Sequence, residues 1–173
     1  MKKYVLICLS IFINIVLAEV KIGYVDSQQI MTQYEGFRMA QVELEKEQKR
    51  LESEYLTLQQ QVDSLYQSYQ KQEFMMSEER KKEKVNEITQ KERELQEFGM
   101  KKLGPQNSEL VQIQNQLMQP ILKTFADACD IVGKERGFDY ILDAGTGGIL
   151  FALESNNLTE EVLEQMNKLS TSE

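Results

Sequence analysis

Of the residue types that most often do chemistry, histidine is missing altogether, which removes the commonest general base and metal ligand. Neither a Cys–His nor a Ser–His pair can be assembled, and the two cysteines, Cys8 and Cys129, have no zinc spacing. Gly145-Thr146-Gly147-Gly148 has the glycines of a phosphate loop but not the Lys-Ser/Thr that such a loop needs, and an apolar run follows it. It reads as a turn. Asn157-Leu158-Thr159 matches a glycosylation sequon, and helix capping explains the same residues. No catalytic, cofactor-binding or metal-ligating residue is therefore expected. What remains is contact chemistry. Phe74, Met75 and Met76 cluster together, with Tyr66, Tyr69, Phe98 and Met100 further along the chain. Such residues either pack between helices or offer adaptable apolar contacts to non-native polypeptides. Beside them Arg80, Lys81, Lys82 and Lys84 either meet anionic lipid or acidic segments, or pair with Glu78, Glu79, Glu83 and Glu87.

These residues lie on a polar stretch with an apolar stripe. Ile30, Phe37, Leu44, Leu51, Leu58 and Leu65 recur every seven residues, and Tyr34, Tyr55, Val62, Tyr69 and Met76 supply a second line. Two apolar positions per heptad make the seam of a coiled coil. The partner helix begins at Ser77-Glu78-Glu79, a hydroxyl cap followed by carboxylates at the positive end of the helix dipole. Its seam is Val85, Ile88, Leu95, Leu103, Leu110, Ile113 and Leu117. Leu95 to Leu103 is eight residues rather than seven, and Gly99 and Gly104-Pro105 sit at that slip, so a kink or short break is expected there. Folded back near Met75, each arm would be about 65–70 Å long at 1.5 Å per residue.

The flanks complete the domain plan. Residues 1–18 read as a signal peptide: Lys2 and Lys3, then an apolar run from Tyr4 to Leu17, then small residues before Glu19. Residues 19–27 and 118–173 would form one discontinuous body, and residues 28–117 the arm. Val20–Asp26, Phe138–Asp143 and Ile149–Leu153 read as strands. Pro120 is placed to open a helix, and a last helix from Thr159 to Leu169 is capped by Thr159, with Leu158 packing on Leu163. Phe125, Ala128, Cys129 and Val132 share one helical face, which makes Cys129 a core residue. The fold class is α+β, mostly α: a long antiparallel coiled-coil hairpin projecting from a small β-rich body. So small a body needs oligomerisation to bury enough apolar surface. The net charge of −8 argues against nucleic acid as a partner.

The chain resembles the Skp (OmpH) family of periplasmic chaperones. The likeness rests on the signal peptide, Lys21-Ile22-Gly23-Tyr24-Val25-Asp26, the Gln/Glu/Lys-rich hairpin, Gln119-Pro120-Ile121-Leu122, the run from Lys134 to Asp143, and Leu158-Thr159-Glu160-Glu161-Val162-Leu163. It implies a homotrimer in the periplasm, with three helical arms around a cavity. That cavity would hold unfolded outer-membrane proteins without ATP. On this view Tyr66, Tyr69, Phe74, Met75, Met76, Phe98 and Met100 are client-binding candidates. The best-known members are strongly basic and this chain is acidic, so a lipopolysaccharide site does not carry over, and lipid contact stays open. The alternative is a periplasmic coiled-coil spacer or scaffold without clients. Apolar residues facing inward off the helix seam would favour the chaperone; a fully polar inner face would favour the spacer.

Overall fold

A computed structural model describes residues 20–171; the expected signal peptide lies outside them. The chain begins with β1 (Ile22–Val25), in which Gly23 and Val25 face inward and Ile22 and Tyr24 outward. It pairs in parallel with β2 (Tyr140–Asp143), Ile22 opposite Tyr140 and Val25 opposite Asp143. Gly23 is required by close approach: a Cβ there would lie 2.7 Å from the Leu158 side chain. The strand entrance is tied twice, since the Lys21 N–H donates to Asp139 Oδ2 at 2.8 Å and the Asp139 N–H donates to the Lys21 carbonyl at 2.9 Å.

Asp26 accepts from the Gln29 N–H at 2.9 Å and caps α1 (Ser27–Gln33). The seam predicts one uninterrupted outgoing helix; instead Tyr34 is extended, with φ −75° and ψ 119°, and α2 (Glu35–Gln72) starts anew. Sterics explain the break. The Tyr34 side chain is buried in the core, and its ring lies 2.5 Å from where a Gly36 Cβ would stand. The 38 residues of α2 extend about 57 Å.

The expected tip is present as a short 3₁₀ turn, Glu73–Met75. Ser77 then caps α3 (Glu78–Phe98), its hydroxyl accepting from the Arg80 N–H at 3.3 Å. The eight-residue slip becomes a π-helical stretch, Gly99–Leu103, the geometry that absorbs one extra residue. The chain leaves the helix at Gly104 and re-enters one after Ser108, which caps α4 (Glu109–Arg136).

Pro120 does not open a helix: it lies inside α4. Proline there loses one backbone hydrogen bond and strains the preceding turn. The apolar face nevertheless continues through Ile121, Ala128 and Val132, all buried, and this packing holds the helix together. Gly137, with φ 68°, ends α4 in the left-handed region, its N–H donating to the carbonyls of Gly133 and Lys134.

Three further expectations need correction. The second strand starts at Tyr140 rather than Phe138. Residues 149–153 form no strand, because the chain does not turn back along β2. It crosses instead to the other side of β1, where Leu158 N–H donates to the Tyr24 carbonyl at 2.8 Å and Asn156 Nδ2 donates to the Ile22 carbonyl at 3.1 Å. Thr159 is the first residue of α5 (Thr159–Ser170), not its cap. Its hydroxyl accepts from the Asp26 N–H at 3.0 Å and donates to Asn157 Oδ1 at 2.6 Å. Leu158 and Leu163 do share the core, with Val25, Ile30, Ile121 and Met166 among its members.

Leu158 joins β1, α4 and α5 and is fully buried. Leu158→Ala is expected to lower unfolding free energy by about 2–5 kcal/mol, whereas Gln61→Ala on the exposed arm should stay within about 0.5 kcal/mol. Denaturant titration followed by circular dichroism reads both.

Candidate functional site

Site residues on such a rod are positioned by their phase relative to the seam. Along the rod, Leu51 on α2 and Ile88 on α3 are buried. The seven residues singled out from sequence do not converge. Phe74 and Met75 stand at the apex, 82% and 69% exposed, while Met76 beside them is half-buried. Tyr66 is exposed; Tyr69 is half-buried, and its hydroxyl donates to Glu73 Oε1 at 3.3 Å. Phe98 ends the 21 residues of α3, about 30 Å down the rod, and Met100 lies just beyond it in the π-helical stretch. Met100 is exposed, and Phe98 edges a shallow groove with Ser53, Thr57 and Leu58. The candidates are thus a distributed set and not a pocket.

Following only the seam misses three others on α2. Met39, Val42 and Leu56 are all exposed. At about 100° per residue, Val42 projects roughly half a turn from Leu51, away from the returning helix. Leu122 on α4 is exposed as well. The signal was available in the sequence as apolar residues out of heptad phase.

Charge on the arms is locally balanced. Arg80 pairs with Glu83, Lys81 with Glu78 and Lys84 with Glu87, each at 2.9 Å or less. Lysine hydrogen bonds hold the carboxyls of Glu45, Glu87, Glu94 and Glu97 below their usual range. The basic cluster is therefore largely neutralised by its own helix. Such exposed pairs contribute little stability individually; what they keep is a soluble, salt-laced face.

A second apolar surface lies on the body. Ile22, Tyr140 and Leu142 expose their outward faces, and the strandless segment adds Leu150 and Phe151, 98% and 83% exposed. Ile22, Leu142, Ile149 and Phe151 line one cleft there. Contiguous exposed apolar residues on this scale mark an interaction surface.

Among the described residues no group of His, Cys, Asp or Glu could hold a metal ion, and no buried side-chain polar atom lacks a hydrogen-bond partner. Asp143, the most heavily engaged carboxylate, accepts from the Ser27 N–H, the Ser27 hydroxyl and the Gly145 N–H. Asn157, of the sequon, uses its side chain on Glu154 and Thr159.

The sequence profile of a family described as outer membrane protein (OmpH-like) matches residues 21–166. Among solved structures, the chain is similar to a candidate outer membrane chaperone (OmpH-like) from Caulobacter crescentus CB15. The TM-score is 0.75 at 10% identity, covering 88% of this chain and 86% of that one. At that identity the likeness is one of fold. No curated protein sequence matches the chain.

Cys129 supplies a check on the body. Burial, and then the nearby Asp143 carboxylate, push its thiol up to about 11. In a Cys8→Ser background, alkylation at about pH 8 should run roughly a hundredfold slower than for a free cysteine. The rate should climb only as pH approaches the shifted value, a profile read by mass spectrometry.

Proposed function

The chain belongs to the OmpH-like family of outer membrane proteins, and on that premise we propose that it is an ATP-independent holdase chaperone of the periplasm. Its clients are unfolded outer-membrane proteins. Residues 1–18 direct export, residues 19–27 with 118–173 form the associating body, and residues 28–117 form the arm. Three copies associate through the body, and their arms surround the client. The protein performs no catalysis.

The observation that carries this reading is the row of exposed apolar side chains off the seam: Met39, Val42 and Leu56 on α2, Met100 beyond α3, and Phe74 and Met75 at the apex. A coiled-coil spacer has no use for apolar residues pointing away from its partner helix, where they cost solubility and gain no packing. An unfolded β-barrel chain presents many scattered apolar groups. Burying one is worth about 1.5–3 kcal/mol at most, and micromolar affinity takes about 8 kcal/mol. Holding must therefore sum several weak contacts, which suits a dispersed set better than one pocket. Methionine favours the same end, because its flexible side chain adapts to unlike surfaces. The paired cations near the tip and the acidic net charge leave little to attract lipopolysaccharide, so lipid is not proposed as the ligand.

The test is client affinity beside circular dichroism and oligomer mass. Met75→Ser alone should weaken binding of an unfolded β-barrel less than about tenfold. Replacing Phe74, Met75, Met76, Phe98 and Met100 together by Ser should weaken it more than about a hundredfold, with fold and mass unchanged. Met39, Val42 and Leu56 replaced by Ser should do likewise. Wild-type affinity in both folded variants would leave the arms without a client role.

A further inference from the structure

We propose that the interrupted segment 99–108 is a slack element that lets the arm bend in the plane of its two helices, latched by Glu109. The inference concerns the rod itself and stands whether or not the client reading does. Opposite the segment α2 runs unbroken, while the returning side passes through a π-helical stretch and five non-helical residues before α4 begins.

Bending a two-helix rod forces its inner and outer paths to differ in length. With axes about 9 Å apart, a 20° bend needs about 3 Å, the rise of two helical residues. An interlocked seam cannot slide by that amount without lifting side chains out of their holes. A segment that exchanges helical rise for the longer rise of extended chain supplies the difference without disturbing the seam on either side.

The segment is a finished feature, not a frayed end. Gly104 is required, because a Cβ there would collide with the Met100 carbonyl oxygen. Asn107 adopts φ 54°, in the left-handed region. Ser108 is fully buried and accepts from the Val111 N–H at 3.4 Å. Glu109, the first residue of α4, then reaches both ways. Its carboxylate pairs with Lys102 on the π-helical side of the gap and with Arg50 on α2 at 3.3 Å. Arg50 is itself anchored to Glu47 at 2.9 Å and Glu54 at 2.6 Å. All three members of the latch are partly exposed, so its strength is modest and screened by salt. It biases the gap towards closed and does not lock it.

The experiment measures the distance across the gap by electron–electron spin resonance. Labels go on Glu92→Cys and Gln114→Cys, both exposed, in a Cys8→Ser/Cys129→Ala chain diluted with unlabelled protein. Glu109→Gln should broaden the distribution towards longer distances by about 3 Å, the slack that a 20° bend requires. Raising salt from about 0.05 to 0.5 M should move wild type towards that variant and leave the variant unchanged. A helix made continuous by deleting Met100 with Gly104→Ala and Pro105→Ala should give a narrow distribution at either salt. Equal widths for wild type and Glu109→Gln, or a salt response that survives in Glu109→Gln, would overturn the proposal. Neither result depends on the continuous variant folding.

Discussion

The fold depends on a single closure: two four-residue strands, β1 and β2, paired in parallel across the whole length of the arm. Parallel strands always need a crossover; here the crossover is the rod. Lys21 and Asp139, 118 residues apart, tie its two roots together. Closing so long a loop is costly in chain entropy, and two short strands alone would not hold it. The roots are therefore laced by side chains that each serve several elements. Asp143 receives Ser27 and Gly145, Thr159 receives the Asp26 N–H, and Leu158 fills the space that Gly23 leaves open.

The closure also leaves the sheet incomplete. Its inner face is covered by α4 and α5 through Val25, Val132, Leu158 and Val162, but its outer face carries Ile22, Tyr140 and Leu142 into solvent. Among the described residues no element is left to place there. The segment that sequence assigns to a third strand lies beside this face without pairing. Association of copies would complete on the outside what one chain completes only on the inside.

Where a local rule decides the outcome, the structure was legible in the sequence. The seven-residue period gives the seam, Ser77 gives the turn into α3, and the eight-residue slip marks the break near Gly104. What escaped depends on contacts between distant parts. The kink at Tyr34 comes from its ring filling the space above Gly36, which no periodicity reveals. Pro120 remains helical because Ile121 and Ala128 are buried on the same face, so packing outweighs a local penalty. Residues 149–153 have strand composition and no strand partner among the described residues. Met39, Val42 and Leu56 are exposed because they lie out of heptad phase, and the seven-residue period specifies only the face that packs.

The arms can act together only if the bodies associate, so oligomeric state tests the account most directly. Sedimentation equilibrium at micromolar concentration should return three times the chain mass for wild type. Leu150→Ser/Phe151→Ser, altered only on the uncovered face, should remain helical and sediment as a smaller species. A wild-type chain that sediments as a folded monomer would contradict the account, because a lone arm encloses nothing.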